Sequence, residues 1–377
     1  MTNQIYLDNA ATTPVLPEVV NAMSSALSEV YGNPSSIHQQ GRMARATVEK
    51  ARTTCARILG AKPSEIFFTS GGTEGNTLVL ISTIRTLGIK NLITSAVEHP
   101  SVLTTLKAEH EKSNFNLHIL PVDHFGHPDL NKLESLLNDL EPDVFVSLMH
   151  ANNELGTKSD IIHIGKLVKK YSGYFHSDCT QTVGHHRFDL NNSDLDFITC
   201  SAHKFHGPKG VGLTYIKSDI KIDPLIIGGG QERNMRAGTE SVHNIVGLET
   251  ALKLCNNKLE EYELKVSALK DKLIGGILSS IEGTELLGDP EQSNYTVASL
   301  LFPAGIEQQL LQMKLDIAGI SVSGGSACSS GTTHKSPIIT AIGLDTDKPM
   351  LRFSFSHLNT EEEIDRTLET LEDIFKK

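Results

Sequence analysis

Between residues 65 and 216 the chain repeats one pattern: a short run of β-branched and aromatic residues, a polar turn, then apolar positions at helical spacing. The runs EIFFTS (65–70), NLITS (91–95), NLHILP (116–121), VFVSLM (144–149), YFHSD (174–178), DFITCS (196–201) and VGLTYI (211–216) read as strands. Segments between several of them, such as NTLVLISTIRTL and IIHIGKLVKKY, read as helices. This alternation predicts an α/β fold with a seven-stranded, mostly parallel sheet covered by helices on both faces. Open sheets of this kind bind ligands beyond the carboxyl ends of their strands. Chemically active residues are therefore expected directly after these runs.

Past GGGQERNMRAGTE the pattern changes. A helical stretch is expected from about Ser241 to Ile281, then TELLG, YTVASLLF, a helix near IEQQLLQMKLDIAG and the strand MLRFSFS. The last element, TEEEIDRTLETLEDIFKK, opens on a Thr360/Glu363 capping box and places Ile364, Leu368, Leu371 and Phe375 on one face. These elements predict a smaller α+β domain.

Composition narrows the class. Of 377 residues 39% are hydrophobic and 21% charged, enough for a substantial core. The formal charge of −11 disfavours nucleic acid or a membrane surface as partner. MTNQIYLDNAATTP has neither the basic nor the apolar region of a secretory signal, and no apolar run reaches a membrane span, so a cytoplasmic protein is expected. The five cysteines are scattered and include no Cys-x-x-Cys pair, which points to reduced thiols.

Lys204 follows DFITCS and precedes Gly/Pro turns, where a bound carbonyl compound can reach its amine. A Schiff-base lysine needs a lowered pKa, which desolvation or a cation such as His203 would supply. Lys209 is the rival, in a Pro-Lys-Gly turn. In EIFFTSGGTEGN, the glycine turn before a helix suits a phosphate at Gly72 and Thr73, and Ser201 and His203 could also donate to one. Asp178 ends a strand, where it could pair with a protonated pyridine nitrogen or cap a helix. His99 could stack on a flat ring or be a solvated loop histidine. Asn153 could bond a ring hydroxyl or a substrate carboxylate, or simply fill a turn. Arg352 alternates with Leu351, Phe353 and Phe355, so its guanidinium lies on the other face, free for a carboxylate or for a surface ion pair.

The segments YLDNAATTP, YGNPSSIH, TSGGTEGN, EHPSV, MHANNELG, SDCTQTVG, SAHKFHGPKGVG, GGGQERNMRAGT and SGGSACSS, in this order, resemble the cysteine desulfurases of the NifS/IscS-like group. These are pyridoxal-phosphate (PLP) enzymes of fold type I in the class V aminotransferase family. The resemblance spans nearly the whole chain. It implies a large PLP-binding domain over 15–256 and a small domain formed by 1–14 and 257–377. It further implies that Lys204 holds PLP as an imine, His99 stacks on the ring, Asp178 pairs with its nitrogen and Gln181 contacts its oxygen. Gly72, Thr73, Ser201 and His203 would hold the phosphate. Thr239 would reach the phosphate of a neighbouring subunit, implying a homodimer with shared sites. Asn33, Asn153 and Arg352 match substrate positions.

Cys328 sits in a Gly/Ser-rich segment beginning at Ser323, a composition that predicts an exposed thiol. Cys55 and Cys255 fall in helical stretches and Cys179 and Cys200 end strands, so these four are expected to pack. The resemblance implies that Cys328 takes sulfur from L-cysteine as a persulfide, leaves alanine, and passes the sulfur to an acceptor protein for iron–sulfur cluster, tRNA or other thiolation chemistry. No resident metal is expected; His176, Cys179, His185 and His186 lack a usual ligand spacing, and iron–sulfur contact would be transient, through the Cys328 persulfide. A related aminotransferase or lyase would share Lys204 and Asp178 without needing the thiol, and a non-catalytic sulfur-carrying scaffold would need neither. Two departures stand out. The chain ends at EDIFKK without the C-terminal extension by which some members engage a scaffold partner. The phosphate turn also reads SGGTEGNT where alanine and serine are frequent.

Overall fold

A computed structural model describes residues 4–324, 336–344 and 347–376. Twelve strands are described: β1 Ile5–Tyr6, β2 Ile66–Thr69, β3 Asn91–Ser95, β4 Asn116–Leu120, β5 Val144–Ser147, β6 Tyr174–Asp178, β7 Phe197–Ser201, β8 Gly212–Ile216, β9 Glu285–Leu287, β10 Val297–Leu301, β11 Ile320–Ser321 and β12 Met350–Ser354. The helices that matter for packing are α1 Pro17–Glu29, α2 Gln39–Leu59, α3 Gly72–Thr86, α4 Pro100–His110, α5 Leu130–Asp139, α6 Ile161–Lys170, α7 Val242–Asn257, α8 Leu259–Ser280, α9 Gln308–Ile317, α10 Pro337–Ala341 and α11 Glu361–Phe375. Among the described residues no helix is long and apolar enough to cross a membrane.

The seven expected strands form one sheet in the order β2-β8-β7-β6-β5-β3-β4. Pairing is parallel from β7 through β6, β5 and β3 to β4, while β8 runs antiparallel to both β7 and β2. Alternate residues of each strand face opposite sides. Phe68, Ile93, Val146 and Ile198 pack into a core with α1, α2 and α7. Their neighbours Phe67, Leu92, Phe145 and Phe197 pack against α3 and α4 on the other face. Two apolar faces explain why these strands read as continuous apolar runs.

The helical stretch expected over 241–281 is two helices, broken at Lys258 (φ −121°, ψ 20°). Periodicity could not show the break, since both halves keep helical spacing. The remaining strands form an antiparallel sheet β12-β10-β9 and a parallel pair β1-β11. A separate apolar cluster gathers Ile5, Leu7, Leu273, Leu300, Phe353 and Ile364. Helix α11 opens on the predicted Thr360/Glu363 capping box, with Ile364 and Leu371 fully buried.

One buried ion pair ties a distant loop to the main sheet. Arg52 on α2 makes paired hydrogen bonds to Glu232 at 2.7 and 2.8 Å, and both side chains are about 2% exposed. Glu232 also accepts from Phe68 N, and the Arg52 guanidinium lies over the Phe68 ring. Glu232, Arg233 and Asn234 all adopt positive φ, a costly backbone for side-chain-bearing residues that surrounding contacts must enforce. Removing one partner strands the other charge in the interior. Arg52→Met is therefore expected to cost about 3–5 kcal/mol of unfolding free energy, read by denaturant titration; a loss under about 1 kcal/mol would refute the role given to the pair.

Candidate active site

Because β3, β5, β6 and β7 are parallel, their carboxyl ends share one edge of the sheet. Strand β2 reaches the same edge through two antiparallel pairings. A cavity of about 310 Å³ opens there, lined by Gly72 and Thr73 after β2, His99 after β3, Asn153 after β5, Asp178 and Gln181 from β6, and Ser201, His203 and Lys204 from β7. Arg352 of β12 closes the far side.

One end is built for an anion. Gly71 (φ 156°, ψ −176°) occupies backbone space essentially reserved for glycine, and α3 begins at Gly72 with its first N–H groups at the cavity. A Cβ on Gly72 would meet Thr180 Oγ1 at 3.0 Å, and that hydroxyl is buried without a hydrogen-bond partner among the described residues. Thr73, Ser201 and His203 surround the same end. Burial, followed by Lys204 and Lys209, pushes the His203 imidazole down to about 4. His203 is thus neutral at physiological pH and is not the cation expected to depress the Lys204 amine, because desolvation outweighs any pull toward the charged form.

The middle of the cavity carries a hydrogen-bonded carboxyl and an imidazole. Asp178 is buried, accepting from Thr180 N at 2.9 Å and from Asn76 Nδ2 at 2.7 Å. Its turn continues without a helix, so it caps none. His99 caps α4 through Nδ1, which accepts from Ser101 N at 3.1 Å. Burial lowers the His99 pKa, with Asp178 opposing and Lys204 adding to the shift. Lys204 Nζ donates to the carbonyls of Ala10 and Ala11, and Gln181 Nε2 also donates to Ala10 O at 3.1 Å.

Arg352 is 1% exposed rather than a surface partner. It donates to Asp8 Oδ1 and to the backbone carbonyl of Asn153, both at 2.9 Å, while its Nε is buried without a hydrogen-bond partner among the described residues. Asn33 and Thr239 are not brought to the cavity; both are exposed, and Asn33 Oδ1 accepts from Ser35 N. Cys328 lies outside the described residues. The residues flanking its segment are tied to the cavity: Ser323 pairs with Arg352 through two backbone bonds, and Ser336 donates to Glu154 Oε2 at 2.7 Å. Cys55, Cys179, Cys200 and Cys255 are buried, and burial raises the pKa of each thiol.

Sequence reasoning passed over Asn76, Ser101, Thr180 and Glu154. Asn76 lies one helical turn after Gly72, so helical spacing was the signal that could have found it. The others sit beside residues already singled out.

Residues 5–367 match the aminotransferase class-V family, the class of PLP-dependent enzyme to which this fold and cavity correspond. The chain is similar to the cysteine desulfurase IscS of Dictyoglomus turgidum, 40% identical across 100% of this chain and 96% of the relative. Among solved structures it is similar to a NifS-like protein, with TM-score 0.91 and 38% identity over 99% of both chains. It is also similar to SspA in complex with cysteine, with TM-score 0.80 and 30% identity over 93% of this chain and 98% of that one. The chain belongs to the cysteine desulfurase family within that class. The orphaned Thr180 hydroxyl, the glycine cradle and the Asp178 carboxyl fit the phosphate and ring of PLP, the cofactor of the family.

Behind His99, Glu98 is buried with Oε1 accepting from Ser95 Oγ and Met149 N. Burial pushes its carboxyl up to about 8, with Asp178 adding to the shift. An unfolded glutamate titrates near pH 4.3, so between these values the folded state holds a proton that the unfolded chain has released. That contribution to stability is complete at low pH and is lost as pH rises toward 8. Glu98→Gln should flatten the fall in melting temperature between pH 5 and 8.5; an unchanged slope would show that Glu98 is not its source.

Proposed function

We propose that this chain is a cysteine desulfurase that takes sulfur from L-cysteine onto Cys328 with PLP held at Lys204. The carrying observation is that Lys204, Asp178, His99 and Arg352 converge on one cavity, with both flanks of the Cys328 segment bonded to its wall. Gly72, Thr73, Ser201 and His203 would hold the phosphate, Asp178 the ring nitrogen, Gln181 the ring oxygen and His99 the ring face. Bound PLP supplies an electron sink for negative charge at the substrate α-carbon.

The chain's own residues divide the remaining work. Arg352 binds the substrate carboxylate; its charge is already oriented by Asp8 and Asn153 O, so little ordering is needed on binding. Asn153 stands beside it. The Lys204 amine takes the α-proton, being the nitrogen nearest the anchoring point of the cofactor. The Cys328 thiolate then attacks the substrate sulfur. A sulfur–sulfur bond forms as the carbon–sulfur bond breaks; the carbon side keeps the electron pair and gains a proton at Cβ, Lys204 returns a proton to Cα, and the product leaves as L-alanine. The other four thiols support this assignment, because burial keeps them protonated and away from substrate.

The persulfide is passed to an acceptor protein, for iron–sulfur cluster assembly or for tRNA or other thiolation chemistry. A homodimer is supported by exposure of the segments bearing Asn33 and Thr239, where Tyr31, Ile37 and Ile227 are 72, 90 and 86% exposed. In that reading Thr239 reaches the phosphate of the partner's site. The two apolar clusters support division into a PLP domain over 15–256 and a small domain of 1–14 with 257–377. Four cysteines without a disulfide suit the reducing cytoplasm.

Incubation with L-cysteine followed by peptide mass spectrometry is expected to show one added sulfur atom on the Cys328 peptide and alanine in solution. Cys328→Ser should lose both, and Lys204→Ala should lose the visible cofactor band. Alanine release from Cys328→Ser at the parental rate would overturn the assignment.

A further inference from the structure

A continuous polar chain runs from Asp178 to His99 through two residues that the proposed mechanism does not use. Asn76 Nδ2 donates to Asp178 Oδ2 at 2.7 Å and to Ser101 Oγ at 2.9 Å. Ser101 Oγ lies 2.8 Å from His99 Nδ1, and Ser101 N donates to the same nitrogen at 3.1 Å. Two features fix the direction of this chain. Turned over, the Asn76 amide would set its oxygen against a carboxylate, so both of its N–H groups must point as they do. Its Oδ1 is instead left buried without a partner among the described residues, as expected where the two donor contacts decide its orientation. At the other end, a backbone N–H can only donate, so His99 Nδ1 must present a lone pair.

A neutral ring with Nδ1 unprotonated carries its hydrogen on Nε2. The surroundings favour the neutral ring: His99 is half-buried at the N-terminus of α4, where helix N–H dipoles oppose positive charge, and Lys204 shares the cavity. Asp178 pulls the other way, but Asn76 and Thr180 N already donate to both of its oxygens.

We propose that Asn76 and Ser101 are positioning residues that hold His99 as the tautomer protonated on Nε2 and tie it to Asp178, so that His99 serves as a hydrogen-bond donor and leaves the base role to Lys204. The roles of His99 and Lys204 rest on the functional reading above; the tautomer rests only on the hydrogen bonds. A ring that donates from Nε2 cannot accept a proton there, which separates the two nitrogen groups of the cavity by function. Asn76 then links the group facing the ring nitrogen to the group facing the ring plane, so a disturbance at either is felt at the other.

The test is ¹⁵N NMR of the PLP-loaded protein labelled at histidine, with the His99 signals identified by their loss in His99→Gln. The expected pattern is a neutral ring protonated on Nε2 from pH 6.5 to 8.5. A charged ring, or one protonated on Nδ1, overturns the proposal. Asn76→Leu should move the His99 resonances and lower kcat about 10- to 100-fold, the range seen when the hydrogen-bond partner of a metal-ligating histidine is removed, with KM within about threefold. Ser101→Ala serves as the second variant, and combining the two should cost less than the product of the separate losses. A lowered melting temperature with unmoved His99 resonances would mean a merely structural role and refute the proposal. Absence of a visible cofactor band in the parent protein would instead refute the functional reading, while the tautomer would still be read from the spectrum of the cofactor-free protein.

Discussion

The placement of His99, Asn153, Asp178 and Lys204 at the cavity follows from parallel strand pairing. Parallel neighbours must all run the same way, so each returns through a crossover connection, helical from β3 to β6 and a loop from β6 to β7, and every carboxyl end arrives at one edge. Strands β3, β5, β6 and β7 deliver His99, Asn153, Asp178 and Lys204 to that edge although these residues are far apart in sequence. The antiparallel insertion of β8 leaves β2 parallel to β7, which brings the glycine turn and the N-terminus of α3 to the same place.

Burial then sets the chemistry. Desolvation disfavours charge on His99 and His203, while hydrogen bonds to both oxygens of Asp178 make a buried carboxyl tolerable. Asp8 and the Asn153 carbonyl offset the cost of burying the Arg352 guanidinium. The same desolvation suppresses the four thiols packed in the core, Cys55, Cys179, Cys200 and Cys255.

Much of this was legible in the sequence because it rests on local chemistry. All seven main strands lie where β-branched and aromatic runs fall, and the capping box of α11 is a pattern of side chains three residues apart. Most of the residues singled out around Lys204 line the cavity for the same reason: they follow strands. Asn33 and Thr239 do not reach the cavity of their own chain, and the break at Lys258 was hidden because helical spacing continues through it.

What the sequence determined by itself is therefore the set of elements, the sheet edge that bears the site, and the residue types at each strand end, since each depends on interactions between near neighbours. The tertiary structure alone decided which charges survive burial and which hydrogen bonds join residues distant in the chain. Neutral His203, the Arg352–Asp8 pair, the Arg52–Glu232 pair and the Asp178–Asn76–Ser101–His99 chain all belong to that second class. Their energies come from solvent exclusion and from contacts between elements that only the folded chain brings together.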